Sequence, residues 1–425
     1  MTSQVRPDAP GDIGGHGTHG DEPRPSAPPD PIKLRPADFP GWAHENLFSS
    51  WLNSILTIVF GVFVAWLAYR SIVFVLVSSD WTIIEVNLTN FMVGRFPRGQ
   101  LAYLWGAIYL LAAVVGLTAG VSVANRTRET RSWRGAAGRY VPPAVLILVL
   151  LGFSNTLLPS LLTVGALAVT AAGYWAGRLA PPVVGRRIWV VAVLGLVAAY
   201  FVARTGGTTY AGWGGMLLTL FFAAGAITLS FPFGLLLALG RRSSFPAVRL
   251  VCVGYIELIR GVPLIALLFM GAFMLGFFYP DFIPKPGKVT AALIAMILFT
   301  AAYVAEIVRG GLQSVPQGQI EAARAVGLSP LKITRLIVLP QALRAVIPAI
   351  VGQFISLFKD TSLVSIIGLL ELLGVARVVT QQPDFLAQGL DAQTLAFAGF
   401  VYWVFCYSMS RASQRLEQRL GVGER

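Results

Sequence analysis

The chain has 425 residues, 55% of them hydrophobic and only 12% charged, with a mean hydropathy of +0.69 and a formal net charge of +13. So little charge excludes a disordered or collagen-like chain and an ordinary soluble enzyme, because only a lipid solvent tolerates this much outward apolar surface. The basic excess forms no stripe on a soluble face, which argues against nucleic acid as a partner and for loop charges that set topology in a bilayer.

Residues 1–45 hold seven acidic and four basic side chains among many Pro, Gly and Ser, and read as a disordered cytoplasmic tail. All three histidines (His16, His19, His44) fall in it. The rest of the chain therefore offers no Ser-His-Asp site and no His-liganded metal, and neither a catalytic residue nor a metal site is assigned. Cys252 and Cys406 lie in separate apolar stretches and read as packing residues.

Apolar runs follow at about 51–76, 101–121, 141–158, 160–177, 188–203, 215–239, 262–279, 289–308, 345–368 and 393–410. All but the 16-residue run 188–203 reach the length of a bilayer-crossing helix, and that one falls just short. With the N-terminus placed in the cytoplasm, the inner segments carry 25 of the 33 Lys and Arg and the outer segments six. This asymmetry predicts ten spans with both termini cytoplasmic, in an all-α polytopic membrane protein. Pro232, Pro263 and Pro348 are read as kinks in their spans.

The inner segment 309–344 is predicted to be structured. Pro316 and Gly318 interrupt the preceding helix, and Glu321 to Val326 is a strong helix former with Glu321 in its first turn. Gly327 suits the left-handed position that stops a helix, and Ser329-Pro330 restarts one as N-cap and N1. Leu331–Leu339 then continues until Pro340 discourages it, with Lys332 and Arg335 on one edge and Ile333, Leu336 and Ile337 as the apolar face. Two short helices joined at a glycine bend result. Taken alone, they fit a hairpin lying on lipid headgroups as well as a docking elbow.

Here the residues carry a resemblance. Glu321-Ala322-Ala323, three residues, Gly327, nine residues, then Ile337, Val338, Leu339 and Pro340 resembles the EAA signature of ABC importer permeases. Ala302–Gly311, Val315–Gln319, Pro340–Arg344, Lys359–Leu363 and Glu257–Leu264 are similar to further blocks of the polar amino-acid uptake branch, the histidine/glutamine-type permeases. The likeness covers about 212–411. It implies a C-terminal five-helix type I ABC importer core over 206–425, with a coupling loop at about 316–340. Glu321, Ala322, Ala323, Gly327, Ile337, Leu339 and Pro340 would then dock on a separate ATPase. No Gly-x4-Gly-Lys-Ser/Thr cradle occurs, since Gly287-Lys288 is followed by Val289. This chain would thus bind no cofactor, and ATP and Mg would belong to the partner.

The resemblance further implies two ATPase subunits, a periplasmic amino-acid-binding protein, and a second related permease in a heterodimer, all at a bacterial inner membrane. Residues 46–205, with about five spans ahead of the core, look like the extension of the general L-amino-acid subgroup. Such a segment reads as a peripheral lipid-facing bundle. The function implied is the permease subunit of an importer moving L-amino acids, polar ones foremost, into the cytoplasm. An ion-coupled secondary amino-acid transporter is the alternative, and a non-transporting scaffold is a third reading.

Charges within the spans supply candidate path residues. Lys359 and Asp360 each cost about 2.5–3.5 kcal/mol facing lipid at a helix centre, so they should face protein or water. Lys359, Asp360, Thr361 and Ser362 either line or gate the path or brace helices. Glu257 and Arg260, like Glu306 and Arg309, sit at i and i+3 and read as local ion pairs. For Glu257 and Arg260 a cytoplasmic gate is the sharper alternative.

Overall fold

The computed structural model describes residues 39–124, 133–205, 210–278, 280 and 285–421. Most of the expected tail (residues 1–38) and the arginine-rich loop with Arg126, Arg128 and Arg131 lie outside them. Among the described residues all regular structure is helical, with one isolated bridge between Gly215 and Glu371. The chain divides into two compact units, Met1–Ser79 and Asp80–Arg425.

In the first unit, α1 (Phe39–Leu47) takes in the end of the segment expected to be a disordered tail. The Thr57 hydroxyl donates to the Leu47 carbonyl at 2.8 Å, tying α1 to α2 (Trp51–Val73). Ser50 caps α2 by accepting from the Asn53 amide. Apolar all round, α2 buries none of its residues, as suits a helix solvated by lipid.

The second unit runs through α3 (Thr82–Val93), α4 (Leu101–Ala124), α5 (Trp133–Gly152), α6 (Leu157–Leu179), α7 (Pro182–Thr205), α8 (Gly215–Arg241) and α9 (Pro246–Gly261). Then follow α10 (Leu264–Phe269), a π turn, α11 (Leu275–Phe278), α12 (Lys288–Gln313), α13 (Gln317–Ala325) and α14 (Pro330–Ile333). The series ends with α15 (Leu339–Asp360), α16 (Leu372–Val378) and α17 (Asp391–Leu420). All ten expected apolar runs fall on helices. Among the described residues six helices are long and apolar enough to cross a membrane, and a seventh span arises if Pro246–Gly261 and Leu264–Phe277, bent by 103°, count as one. The break between α5 and α6 falls at 153–156, so Leu157 and Leu158 belong to the later helix.

Among the described residues three helices, α3, α9 and α16, lie between the expected runs where loops were expected. α9 precedes the bend at Pro263. α3 is a 12-residue helix whose Ile83, Ile84 and Phe91 are completely buried. Phe91 meets Phe397 of α17 edge to face at 5.0 Å, and Asn87 exchanges side-chain hydrogen bonds with Gln382. The segment ahead of 206 is therefore not wholly peripheral. α3 shares its apolar interior with α16 and α17, while Leu104, Ala107, Ala199 and Ala203 of α4 and α7 pack with Trp213, Leu218 and Phe222. In α4 and α6, Gly116, Gly120, Gly173 and Gly177 let the two backbones meet, as a Cβ on Gly120 would stand 2.1 Å from the Tyr174 carbonyl oxygen. This is the small-residue packing that replaces hydrophobic driving force between helices in lipid.

Past α3 the backbone turns at Gly94 with φ +61°, and a Cβ there would stand 2.4 Å from the Gly214 Cα. We expect Gly94→Ala to cost about 2–4 kcal/mol, from left-handed strain plus overpacking. Thermal unfolding of the detergent-solubilised chain checks this, and an unshifted midpoint contradicts it.

Candidate functional site

The elbow is built by local rules. α12 ends at Gln313, and Pro316 caps α13, which starts at Gln317. Glu321 thus lies in the second turn, not the first as the sequence suggested, because Gly318 is taken into the helix. α13 stops in a paired carbonyl-satisfying motif. Leu328 N–H donates to the Ala323 carbonyl at 3.1 Å and Gly327 N–H to the Arg324 carbonyl at 2.9 Å, with Gly327 left-handed at φ +79°. Pro330 then opens α14 as foreseen, although the Ser329 side chain makes no cap bond.

Pro340 does not end the helical run. A π turn over Thr334–Val338 leads into α15, and the chain stays helical through Pro330–Ile367. The wider π turn accommodates the proline ring, which clashes with a carbonyl in α register. It also rotates the side chains off the expected wheel. Ile333 and Val338 are buried and Ile337 half-buried, while Leu336 is 61% exposed.

The elbow therefore has two sides. Val315, Ala323, Ile333, Val338 and Ala342 join Ala238, Ile256, Val304, Val308 and Leu312 in one apolar cluster, so it is anchored to α8, α9 and α12. Gln341 donates to Gln319 and to the Ile337 carbonyl, bracing α13 against α15. On the other side Glu321, Ala322, Gly327 and Pro340 are exposed, beside Val326 (75%) and Leu331 (77%). Of the motif residues, Ala323, Ile337 and Leu339 anchor and the remaining four face outward. Of the outward apolar trio Val326, Leu331 and Leu336, it is Leu336 that a helical wheel wrongly assigns to the core side.

The charged residues meet in an unforeseen pattern. Glu306 pairs with Arg309, whose Nε donates to Oε1 at 2.9 Å. Glu257 and Arg260 do not pair with each other. Arg241 of α8, which sequence reasoning passed over, bridges Glu257 at 3.1 Å and Glu306 at 3.2 Å, and Arg260 reaches Glu306 at 3.8 Å. One carboxylate thus holds three guanidinium groups at the converging ends of α8, α9 and α12, next to the elbow. Glu306→Gln leaves three like charges together, and we expect a loss of about 1–2 kcal/mol, reduced from the buried-pair figure because all are partly exposed. A fall of about 1–3 °C in melting temperature checks it.

The Lys359–Ser362 segment lies at the far end of α15, about 33 Å along a 22-residue helix from the elbow. Lys359 is exposed, Asp360 and Ser362 are half-buried, and Thr361 is buried. Only Thr361 of the four contacts the buried carboxylate cluster that the sequence did not disclose. Glu371, fully buried, accepts from the Gly374 and Leu373 amides at 2.7 and 2.9 Å and from the Tyr402 hydroxyl at 2.8 Å. Thr219 Oγ1 accepts from the Leu372 amide, and Tyr402 lies 3.3 Å from Thr361 Oγ1. An acid just before the apolar Leu372 run is a helix-cap signal that could have marked it.

A family model described as "Binding-protein-dependent transport system inner membrane component" matches residues 230–422. The chain is 36% identical to the inner membrane amino-acid ABC transporter permease protein YhdY of Escherichia coli (strain K12), over 94% of this chain and 97% of that one. It is 34% identical to the glutamate/glutamine/aspartate/asparagine transport system permease protein BztC of Rhodobacter capsulatus, over 89% and 93%. Against the probable glutamine ABC transporter permease protein GlnP of Bacillus subtilis it is 40% identical, over 49% of this chain and 92% of that one.

Proposed function

Because the chain belongs to the amino-acid ABC transporter permeases of binding-protein-dependent systems, we propose that it moves L-amino acids, polar ones foremost, into the cytoplasm as the membrane-spanning subunit of an ATP-driven importer. It is a helical inner-membrane protein that works with ATPase and substrate-binding partners. Our reading adds two ATPase subunits, a second related permease in a heterodimer, both termini in the cytoplasm, and a core over 206–425 with α8, the bent α9–α11 pair, α12, α15 and α17 as its five spans.

One observation carries the mechanism: the elbow is fixed on one side and bare on the other. Ala323, Ile333 and Val338 root it in α8, α9 and α12, while Val326, Leu331, Leu336 and Glu321 face outward. An ATPase cleft closing on that face would move these helix ends as a unit, since packed interiors transmit displacement. The same helix ends carry the Glu257, Arg260, Glu306 and Arg241 network, and we assign it as the cytoplasmic gate whose pairs break when the helices part. ATP chemistry then belongs to the partner chain.

Lys359, Asp360, Thr361 and Ser362 are assigned to the path at the opposite end of α15. If they line it, Asp360→Asn shifts substrate preference; loss of coupling at unchanged preference assigns them to bracing instead. The whole reading is tested with all subunits in proteoliposomes. Uptake should require ATP and stop with vanadate, and a cysteine placed at Leu331 should crosslink to the ATPase. Uptake that survives vanadate but collapses with an ionophore would make the chain an ion-coupled transporter.

A further inference from the structure

Beside the ion network lies an open cavity of about 250 Å³ lined by Arg241, Arg242, Arg309 and Gln313. Its walls carry three guanidinium groups and an amide, and no carboxylate. Arg241, Arg242, Arg260 and Arg309 gather here against Glu257 and Glu306, so the cluster holds two more positive than negative charges. Both oxygens of Glu306 are engaged, Oε1 by Arg309 and Oε2 by Arg241 and Arg260. The Arg242 side chain donates to the Leu312 carbonyl at 3.2 Å, and Arg309 also donates to Gln313 Oε1 at 2.7 Å. That bond leaves the Gln313 amide nitrogen as a further donor. The carbonyl ends of α8 and α12 offset part of the surplus, but they supply no full negative charge.

The guanidinium groups are held in place by Glu257, Glu306 and the Leu312 carbonyl before any ligand arrives. Planar forks fixed around one concavity match the oxygens of a phosphate group, and two can be engaged at once. The cavity also lies where the apolar parts of α8 and α12 give way to polar sequence, the depth at which headgroups sit. Basic pockets between helices at that depth recognise anionic headgroups.

We propose that this cavity is a binding site for a phosphate-type anion, supplied either by an anionic phospholipid headgroup or by free phosphate, and that its occupant neutralises the charge left over by the ion network. Arg242 and Gln313 act as ligands without belonging to the gate pairs. The site rests on its own geometry and not on the importer reading.

The full-length chain, purified in a neutral detergent, is exchanged into nanodiscs of phosphatidylcholine with or without phosphatidylglycerol. Retained lipid is read by native mass spectrometry, and the melting midpoint is titrated with inorganic phosphate against chloride at equal ionic strength. Retention of phosphatidylglycerol identifies the headgroup as the source, and a midpoint raised by phosphate alone identifies the free anion. Either effect should fall about tenfold in Arg242→Gln, which removes a charged donor. It should fall similarly in Gln313→Glu, an exposed substitution that sets a carboxylate in the wall and does not threaten folding. Arg335→Gln, an equal loss of charge away from the cavity, should change nothing. The proposal is overturned if neither lipid nor phosphate binds, or if Arg335→Gln weakens binding as much as the cavity variants. No transport is measured, so that failure would leave the importer reading standing.

Discussion

Gly327→Asp is expected to abolish ATP-driven uptake while the protein still reaches the membrane in normal amount. Gly327 holds φ +79°, where an L side chain costs about 1–2 kcal/mol, and its amide takes part in the bonds that close α13. A Cβ there meets nothing within 4 Å, so the damage is to the angle of the elbow and the charge on its outer face, not to packing. Glu321→Lys should act alike, because Glu321 is exposed and its loss leaves the anchoring cluster whole. Gly327→Ala carries the strain without the charge and should lose less, about tenfold in rate. Uptake in proteoliposomes and membrane content by immunoblot are read together. Wild-type uptake by either charged variant would refute the coupling assignment.

The second large effect is on stability. Glu371→Ala removes the acceptor of two helix-cap amides and of the Tyr402 hydroxyl, around a carboxylate that is itself fully buried while Leu373 and Tyr402 are half-buried. Each orphaned donor costs about 1–3 kcal/mol, and the lost cap alone about 1. Partial repacking keeps the total near 3–4 kcal/mol. For a unit of this size that lowers the melting temperature by roughly 4–6 °C. Glu371→Gln retains one acceptor oxygen and should lose about half as much. A midpoint within ~1 °C of wild type for the alanine variant would show that the network carries no such weight.

The ten long runs were legible because a span is a composition signal about 20 residues wide, and composition survives ignorance of packing. α3 was not, since twelve residues mixing Asn87 and Asn90 with Ile83 and Phe91 match neither a span nor a clear amphipathic stripe. The elbow was legible through Gly327 and Pro330, whose backbone preferences act locally. Pro340 misled because the rule for proline assumes α register, and the π turn before it removes the clash while turning Leu336 outward. The Glu257–Arg260 pairing failed for a different reason. Spacing along one helix is visible in sequence, but Arg241 arrives from another helix and competes for the same carboxylate. Glu371 stayed hidden because a buried acid is recognised by its partners, and Thr219 and Tyr402 are far off in the chain.

The bond between Asn87 and Gln382 spans 295 positions. A ribosome adding about 5–20 residues per second makes the second partner some 15–60 s after the first. Through that interval α8 can cover part of α3, but Gln382 and Phe397, which complete the partners of Asn87 and Phe91, have not yet been made. Biogenesis must therefore shelter an early segment until the last helix emerges, so premature termination anywhere before α17 would leave an unfinished product recognisable to quality-control proteases by its beginning as much as by its end.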